Sequence, residues 1–424
     1  MTDSVAIWAP DSGEQAGGML DKDPARLPLS DKRVLIIVEN LPVPFDRRVW
    51  QESLALRDAG ATVSIISPRG KGFERSYECH EGIHIHRHPL TADASTVLGY
   101  LFEYGTALLW QTILAWRIFF GRGFDVIHIC NPPDLGFLIA MQFRLFGRRY
   151  IFDHHDINPE LFEVKFGRRG WLWRAVVTLE KINFLCARVV ISTNESYRSI
   201  AQTRGKKRKD DVFVVRSGPD VRRLKHVPPD PSLKRGRRYM VCYVGVMGEQ
   251  EGLDLLLQAV CHLVNECGRT DIGFCLVGSG SSRSAMEQLS HDMGIAEYVH
   301  FTGRISDEEL ARVLCSADVG VNPDRVNPMN DLSTMNKVLE YMAFGKAQVQ
   351  FAVKEGRVSA GETSLYAEPN NPVSLAAKIL ELLDNPAQRE AMGRAAQQRF
   401  HESLSWDHQK PVLIAAYQRA MSRA

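Results

Sequence analysis

The sequence predicts an α/β protein made of two domains, each with a doubly wound parallel sheet. Short apolar runs rich in β-branched residues alternate with helix-like patterns in both halves of the chain. At 424 residues the chain is also too long for one typical hydrophobic core. Ligands of such sheets bind at the carboxyl ends of the strands. Two sheets that face each other would therefore share one cleft.

Each half begins with a predicted buried strand, RVLIIVEN at residues 33–40 and YMVCYVGVMG at 239–248. The first half adds the strand-like runs TVSIISP, IHIHRH, FDVIHIC, RYIFDHH and ARVVIST. The second half adds IGFCLVGSG, YVHFTG, ADVGVNP and AQVQF. Turn residues bound these runs, which is typical of strands in an α/β sheet.

The domain boundary is predicted at residues 217–231, a Gly- and Pro-rich stretch without periodicity. The expected units are a disordered tail at 1–30, a first domain at 31–218, a second domain at 219–404 and a final helix at 405–424. We expect that helix to fold back onto the first domain.

Composition restricts the possible partners and compartment. Lys and Arg total 52 against 50 Asp and Glu, which argues against a dedicated nucleic-acid binder. The eight cysteines form no CxxC pair and are expected to be core residues in a reducing cytoplasm. Residues 1–30 lack the pattern of a secretory signal. The long apolar segment 97–120 contains Glu103, Gln111 and Arg117, so a buried or interfacial helix is predicted.

The segment NDLSTMNKVLEYMAFGK, residues 330–346, predicts a polar loop that leads into a helix with one buried face. Ser333 or Thr334 is the predicted N-cap. The first amides of the helix and its positive dipole end would suit a diphosphate, with candidate contacts at Ser333, Thr334, Met335 and Asn336. Glu340 would accept hydrogen bonds from a ribose. An ordinary amphipathic helix with one solvated glutamate is the alternative.

With these features the chain resembles glycosyltransferase family 4, the retaining sugar transferases with a GT-B fold. The resemblance covers about residues 31–420 and depends on seven ordered motifs: FDRRVWQESLALRDAGATVSIIS, DHHDINPEL, GVMGEQEGLDLLLQAV, LVGSG, HFTGRISDEEL, the loop and helix at 333–345, and SWD. It implies a nucleotide-sugar donor held mainly by the second domain and an acceptor approached by the first. It implies neither a metal nor a cofactor.

Several site residues follow from this resemblance. Glu340 matches the second glutamate of the family's pair, which holds the donor ribose. The first would fall at Leu332, which leaves Asp331 as the candidate for the sugar hydroxyl contact. The family's usual Arg and Lys for the diphosphate are replaced by Val246 and Glu251.

A leaving diphosphate gathers negative charge and needs preorganised donors. Lys337 is the preferred replacement cation, and Arg304, Arg47 and Arg48 are the other candidates.

His155 aligns with the family's histidine beside the reacting sugar, and we expect a catalytic role for it. Because Asp156 and other polar residues surround it, a hydrogen-bonded loop cluster and a metal site are the alternatives. The glycine-rich turns after the strands are expected to line the cleft, with candidates at Gly245, Met247, Gly278 and Gly280.

Two features lie outside this site. His84, His86 and His88 alternate along a strand, and an exposed edge strand is the expected explanation, preferred to a metal ladder. Trp171 and Trp173 lie among arginines, a composition typical of an interfacial anchor on anionic lipid.

The sequence therefore predicts a cytoplasmic, peripheral membrane glycosyltransferase of polysaccharide or exopolysaccharide synthesis. Its expected donor is a UDP- or GDP-sugar, and its expected acceptor is lipid-linked or a growing cell-surface polysaccharide. The alternatives are a non-hydrolysing sugar-nucleotide epimerase and a non-catalytic partner subunit.

Overall fold

The computed structural model describes residues 27–89, 97–167, 169–220 and 225–422, with the backbone alone for 97–103. Most of the predicted tail therefore lies outside the described residues. Leu29, however, is fully buried in the core of the first domain, and its amide donates to Ala59 O at 2.9 Å. The tail boundary at residue 30 was placed too late, because this apolar side chain already packs in the domain.

The first domain contains an eight-stranded sheet. Its strands are β1 (Arg33–Ile37), β2 (Thr62–Pro68), β3 (Tyr77–His80), β4 (Ile83–His88), β5 (Val126–Cys130), β6 (Arg149–His154), β7 (Val189–Ser192) and β8 (Val212–Val214). Their spatial order is β3-β4-β2-β1-β5-β6-β7-β8. Only β3 runs antiparallel to its neighbour among these strands. The helices of this domain are α1 (Arg47–Asp58), α2 (Val97–Phe120), α3 (Phe137–Arg144), α4 (Asn158–Phe166), α5 (Trp171–Cys186) and α6 (Glu195–Thr203).

The second domain contains a six-stranded parallel sheet. Its strands are β9 (Tyr239–Val244), β10 (Ile272–Val277), β11 (Val299–Gly303), β12 (Val319–Asn322), β13 (Gln348–Phe351) and β14 (Ser364–Ala367), in the order β11-β10-β9-β12-β13-β14. Its helices are α7 (Leu253–Cys261), α8 (Arg283–Asp292), α9 (Asp307–Ser316), α10 (Asn336–Ala343), α11 (Lys354–Ala360), α12 (Pro372–Asp384) and α13 (Pro386–Arg399). Two parallel-sheet domains of this kind make a GT-B fold.

The last helix, α14 (Trp406–Met421), belongs to the core of the first domain. Trp406, Leu413 and Tyr417 are buried there together with strands β1, β5 and β7. The chain thus crosses between the domains twice, once after β8 and once before α14.

The prediction of an exposed edge strand at His84, His86 and His88 was wrong. The short strand β3 pairs with β4 and forms the edge itself, so β4 lies inside the sheet and His88 is buried. The polar sequence YECH gave no strand signal of its own, since its stability comes from pairing with β4.

The membrane-related predictions concern α2 and α5. Among the helices that the structure describes, none is long and apolar enough to cross a membrane. Trp171 is exposed at the start of α5, whereas the Trp173 indole donates to Pro159 O at 3.1 Å. Only one of the two tryptophans is therefore free to project from the surface.

Candidate active site

The carboxyl ends of the two sheets face each other across a cleft, and Arg47 of α1 bridges it. Its Nη1 donates to Glu340 Oε1 at 3.3 Å, and its Nη2 donates to Asp307 Oδ1 at 2.7 Å. Glu340 is 7% exposed, and burial raises the pKa of its carboxyl group. The carboxylate expected to hold a ribose thus already faces a cation from the opposite domain.

The start of α10 differs from the prediction. The helix begins at Asn336, and Met335 is the N-cap residue without a side-chain hydrogen bond. The hydroxyl groups of the two predicted caps are used elsewhere, which corrects the N-cap assignment to Ser333 or Thr334. Ser333 Oγ donates to Met329 O at 2.9 Å and lies 3.0 Å from Tyr197 Oη.

Thr334 Oγ1 accepts from Asn194 Nδ2 at 3.0 Å, and the same amide group donates to Leu332 O at 2.8 Å. The loop before α10 is therefore attached to the first domain. Among the described residues, the amides of Met335, Asn336 and Lys337 have no hydrogen-bond acceptor. Together with the helix dipole, these donors provide a site for an anion.

Lys337 is buried in an ion triad beneath this helix start. Its Nζ lies 2.7 Å from Asp324 Oδ1 and 2.8 Å from Glu251 Oε2. Burial alone would lower the pKa of Lys337, but Asp324 and Tyr243 hold it well above its usual range. Burial raises the pKa of Asp324 to about 8, whereas Lys337 keeps that of Glu251 low against the effect of burial. One lysine cation and one carboxylate charge therefore cancel at neutral pH.

The two carboxyl groups of this triad bind the Lys337 ammonium group, which the sequence analysis assigned to the diphosphate. Glu251, which stands where the family usually has Lys, supplies one of its two carboxyl groups. The diphosphate role of Lys337 stays a prediction, and its charge is available only if a ligand displaces a carboxylate.

Arg48 lines the cavity at the cleft, but carboxylates of the first domain already bind its guanidinium group, so its role toward the diphosphate stays a prediction. It is 9% exposed and forms ion pairs with Asp153 at 3.0 Å and Glu52 at 3.1 Å. Its Nη1 also donates to Val215 O at 2.8 Å. Burial alone would lower the pKa of Arg48, but the two carboxylates raise it. Its role is to hold β6 and the chain crossing after β8 together.

His155 follows β6 and lies beside this buried pair. Its Nε2 is 2.6 Å from Asp153 Oδ2 and 2.8 Å from Arg48 Nε, and its amide donates to Asn131 Oδ1 at 2.7 Å. Burial alone would raise the pKa of Asp153, but Arg48 and His155 hold it well below its usual range. An ionised Asp153 therefore orients the ring of His155.

Behind Asp153 lies a buried group that has the spacing of metal ligands. Donor atoms of His128, Cys130 and Asp153 lie within 4.8 Å of one another. Two observations weigh against a metal there. The guanidinium of Arg48 already contacts Asp153, and burial raises the pKa of Cys130 well above its usual range, which disfavours the ligating thiolate. The group is a hydrogen-bond network in which Tyr417 Oη lies 2.6 Å from His128 Nδ1.

Asp156 follows His155 in the loop after β6, and burial raises the pKa of its carboxyl group, while its place in the cleft stays a prediction. Its amide donates to Asn131 Oδ1 at 3.2 Å. Asp331 is turned away from the cleft, since its Oδ1 accepts from Lys354 N at 2.7 Å at the start of α11. Arg304 is exposed, and its guanidinium lies 5.0 Å from the ring of Phe45 in the first domain.

The glycine-rich turns after β9 and β10 pack against each other. Gly278 has φ +133°, and a Cβ there would lie 1.8 Å from Gly245 O. A Cβ at Gly280 would lie 2.5 Å from Met247 O. Met247 is fully buried, so its side chain belongs to the core and not to the cleft lining predicted for it. These glycines are required for close approach of the two turns.

The cavity at this cleft measures about 90 Å³ and is lined by Arg47, Glu340, Asn336 and residues of the segment 217–220. Small-molecule sites usually measure about 300–1,000 Å³. The bridge made by Arg47 must therefore open before a sugar nucleotide can enter. A larger cavity of about 550 Å³ lies beside the turn at Gly248, next to Asn327.

Comparison with known families identifies both halves of the chain. The family model described as "Glycosyl transferase 4-like domain" matches residues 46–241, and that described as "Glycosyl transferases group 1" matches residues 238–385. The chain belongs to the group 1, or family 4, glycosyltransferases. Its fold and family assignment from sequence are confirmed.

Curated relatives of this glycosyltransferase include mannosyltransferases. An MMP alpha-(1->4)-mannosyltransferase from Mycolicibacterium hassiacum is 26% identical over 74% of this chain and 75% of its own length. A GDP-mannose-dependent monoacylated alpha-(1-6)-phosphatidylinositol monomannoside mannosyltransferase from Corynebacterium glutamicum is 28% identical over 45% of this chain and 52% of its own length.

Solved structures share the fold of this glycosyltransferase. Sucrose-phosphate synthase from Thermosynechococcus elongatus superposes with a TM-score of 0.71 at 18% identity, over 91% of this chain and 98% of its own. Anabaena HepE in complex with UDP and glucose gives a TM-score of 0.67 at 16% identity, over 90% and 97% of the two chains.

Sequence reasoning missed four residues of this site in the glycosyltransferase. Asp307, Asp324, Asn194 and Tyr197 contact the predicted residues from other elements of the chain. Asp307 lies at the start of α9 within the motif HFTGRISDEEL. Its position shortly after the carboxyl end of β11 was the sequence signal that could have identified it. The other three depend on how the domains and loops meet, which no local pattern records.

Proposed function

We propose that this protein is a retaining glycosyltransferase that moves a hexosyl unit from a UDP- or GDP-sugar to a lipid-linked or growing cell-surface polysaccharide acceptor. The observation that carries the proposal is the pairing of free amides at the start of α10 with the buried carboxylate of Glu340 on the same helix. A diphosphate accepts hydrogen bonds from such amides, and ribose hydroxyl groups donate to such a carboxylate.

Donor binding would proceed by exchange of partners. The ribose hydroxyl groups take the place of the Arg47 guanidinium on Glu340, which must be ionised to accept both hydrogen bonds. The diphosphate lies over the amides of Met335, Asn336 and Lys337. Arg47 is 45% exposed, and once it is released from Glu340 its side chain is long enough to contact the diphosphate. Arg304 is the second mobile cation at the same cleft.

In the transfer step the bond between the anomeric carbon and the diphosphate oxygen breaks. The acceptor oxygen forms its bond to the same carbon from the same face, and its proton passes to the departing diphosphate. The amides and cations of α10 and the cleft stabilise the charge that develops on the leaving group. His155, oriented by Asp153, hydrogen-bonds the sugar as the anomeric carbon becomes positive. Asp331 would reach the sugar only after release of the Lys354 amide.

We place the enzyme at the cytoplasmic face of the membrane as a peripheral protein. The exposed Trp171 beside basic residues and a relative whose name includes a phosphatidylinositol mannoside support this part of the proposal. No step of the proposed reaction uses a metal or cofactor.

The test is transfer by the purified chain with a panel of UDP- and GDP-sugars, in the presence and absence of membrane lipid extract. We expect an acceptor-dependent product with the anomeric configuration of the donor, at a rate that EDTA does not change. A new sugar nucleotide formed without acceptor would instead identify an epimerase. A product of inverted configuration would contradict retention.

A non-catalytic partner subunit is the second candidate, and the Lys337 triad favours it. The usual cations are replaced by Val246 and Glu251, and the charge of the remaining lysine is cancelled within its buried triad. Donor-dependent thermal stabilisation without transfer to any extracted acceptor would support this function and contradict the enzyme.

A further inference from the structure

A second cavity of about 540 Å³ lies on the far flank of the first sheet, between β3, β4 and α2. Its volume is within the range of small-molecule sites. Basic side chains dominate the polar part of its lining: Arg69, Arg87, Arg117, Arg122, His86 and His88. The cavity is separate from the donor cleft and shares no lining residue with it.

Carboxylates cancel only part of this charge. Arg87 pairs with Glu78, and His88 Nε2 lies 3.0 Å from Glu39 Oε2. Within the part of the chain that the structure describes, no carboxylate pairs with Arg69, Arg117 or Arg122, although Arg122 Nη2 donates to Tyr77 Oη at 3.3 Å. The cavity therefore carries a net positive charge.

The lining also contains buried polar atoms without partners. Nε of Arg69, Nε of Arg87 and Nε2 of His86 are buried and make no hydrogen bond. Burial and the neighbouring Arg122 lower the pKa of His86 to about 4, so the ring is neutral at physiological pH. A phosphate group supplies acceptor oxygens and negative charge for the guanidinium groups of Arg69, Arg117 and Arg122, because guanidinium groups bind phosphate through paired hydrogen bonds.

An exposed apolar stripe on α2 borders the cavity. Leu109, Ile113 and Phe120 follow one face of the helix and are 60%, 47% and 78% exposed. Trp110 lies beside them and also lines the cavity. Aliphatic and aromatic side chains next to arginines are the composition of a surface that lies at the membrane interface.

We propose that this cavity binds the phosphate or diphosphate of a membrane-embedded, lipid-linked acceptor, with the α2 stripe against the lipid chains. The assignment rests on the proposed function and gives its acceptor a binding site. The cavity lies at the ends of β2 and β4, while His155 follows β6. Three to four strand spacings, roughly 14–19 Å, separate these places in the sheet. The acceptor hydroxyl must therefore lie well beyond the phosphate, which favours a lipid carrier that already bears sugars.

The experiment compares vesicles of equal charge density containing phosphatidylcholine with either phosphatidylglycerol or polyprenyl diphosphate. We expect the full chain to bind the polyprenyl diphosphate vesicles more tightly. The double variant Arg117→Gln/Arg122→Gln should lose about 30-fold of that affinity (about 2 kcal/mol), because each basic side chain near an anionic headgroup contributes about fivefold. The matched control Arg394→Gln/Lys378→Gln removes two charges from the surface of the second domain, one at an exposed and one at a half-buried side chain, and should change little.

Inorganic pyrophosphate provides the soluble comparison, with the NMR signals of the His86 ring as the local readout. Polyprenyl diphosphate vesicles should shift these signals and raise the pKa of His86. Equal vesicle binding by wild type and the double variant would overturn the proposal. A shift with pyrophosphate but none with vesicles would overturn the lipid source. Thermal stabilisation by sugar nucleotides should persist in the double variant, and its absence from the wild type would refute the proposed function separately.

Discussion

The substitution Glu340→Gln tests the ribose contact with little change of shape. The carboxylate is 7% exposed, and burial raises its pKa, so the fold disfavours its charged form. An amide of the same size removes the free-energy cost of burying that charge. It also removes the ion pair between the exposed Arg47 and the buried Glu340. Because these effects oppose each other, the melting temperature without ligand should stay constant or rise slightly.

The loss of donor affinity should be much larger. A hydrogen bond to a charged group contributes about 1.5–3 kcal/mol, whereas an amide can accept through only one oxygen. At 1.4 kcal/mol per tenfold change, the dissociation constant should rise about 10- to 150-fold. The ion pair with Arg47 reduces this figure toward its lower end, since the wild type must break that pair to bind the donor.

Isothermal titration with the nucleotide diphosphate of the active donor measures the affinity, and thermal unfolding without ligand measures stability. The matched control is Glu309→Gln on the neighbouring helix α9, where glutamine preserves the capping box with Ser306. Unchanged affinity in Glu340→Gln would refute the ribose assignment. A large fall in melting temperature without ligand would show instead that the carboxylate has a structural role.

Three further outcomes follow from the buried networks. Asp324→Asn should flatten the dependence of stability on pH. Because burial raises the pKa of Asp324 to about 8, the wild type should lose stability as the pH rises from about 4 to about 8, and urea unfolding at several pH values measures this loss. Lys337→Ala should lower the free energy of unfolding by about 3–5 kcal/mol, because it leaves Asp324 and Glu251 without their cation; a loss below about 1 kcal/mol would contradict the triad. Tyr417→Phe should cost about 1–3 kcal/mol, since His128 Nδ1 loses its partner, and unchanged denaturation would show that this hydrogen bond is not formed.

The buried strands were predictable because each one is a continuous apolar run between turn residues. Strands such as RVLII and YMVCYV lie where the sequence placed them. β3, β8 and β14 were missed because they are short and gain their stability from a neighbouring strand. Helix α10 was placed correctly, but its start was not, because Ser333 and Thr334 resemble caps until the first domain engages their hydroxyl groups.

Candidate site residues could be proposed where one element carries them, whereas contacts between elements could not be predicted. Glu340 was assigned from its position on a helix and His155 from the resemblance to the family, and the roles of both stay predictions. The inward turn of Arg48 and the pairing of Lys337 depend on carboxylates far away in sequence, Asp153 and Asp324. A guanidinium or ammonium group in a sequence does not reveal which carboxylate the fold brings to it.

A crystal structure of the chain with a bound nucleotide diphosphate tests the donor site most directly. We expect the phosphate oxygens to lie about 2.7–3.2 Å from the amides of Asn336 and Lys337, with the ribose on Glu340 and Arg47 displaced from that carboxylate. A nucleotide bound elsewhere, with the pair between Arg47 and Glu340 intact, would contradict it.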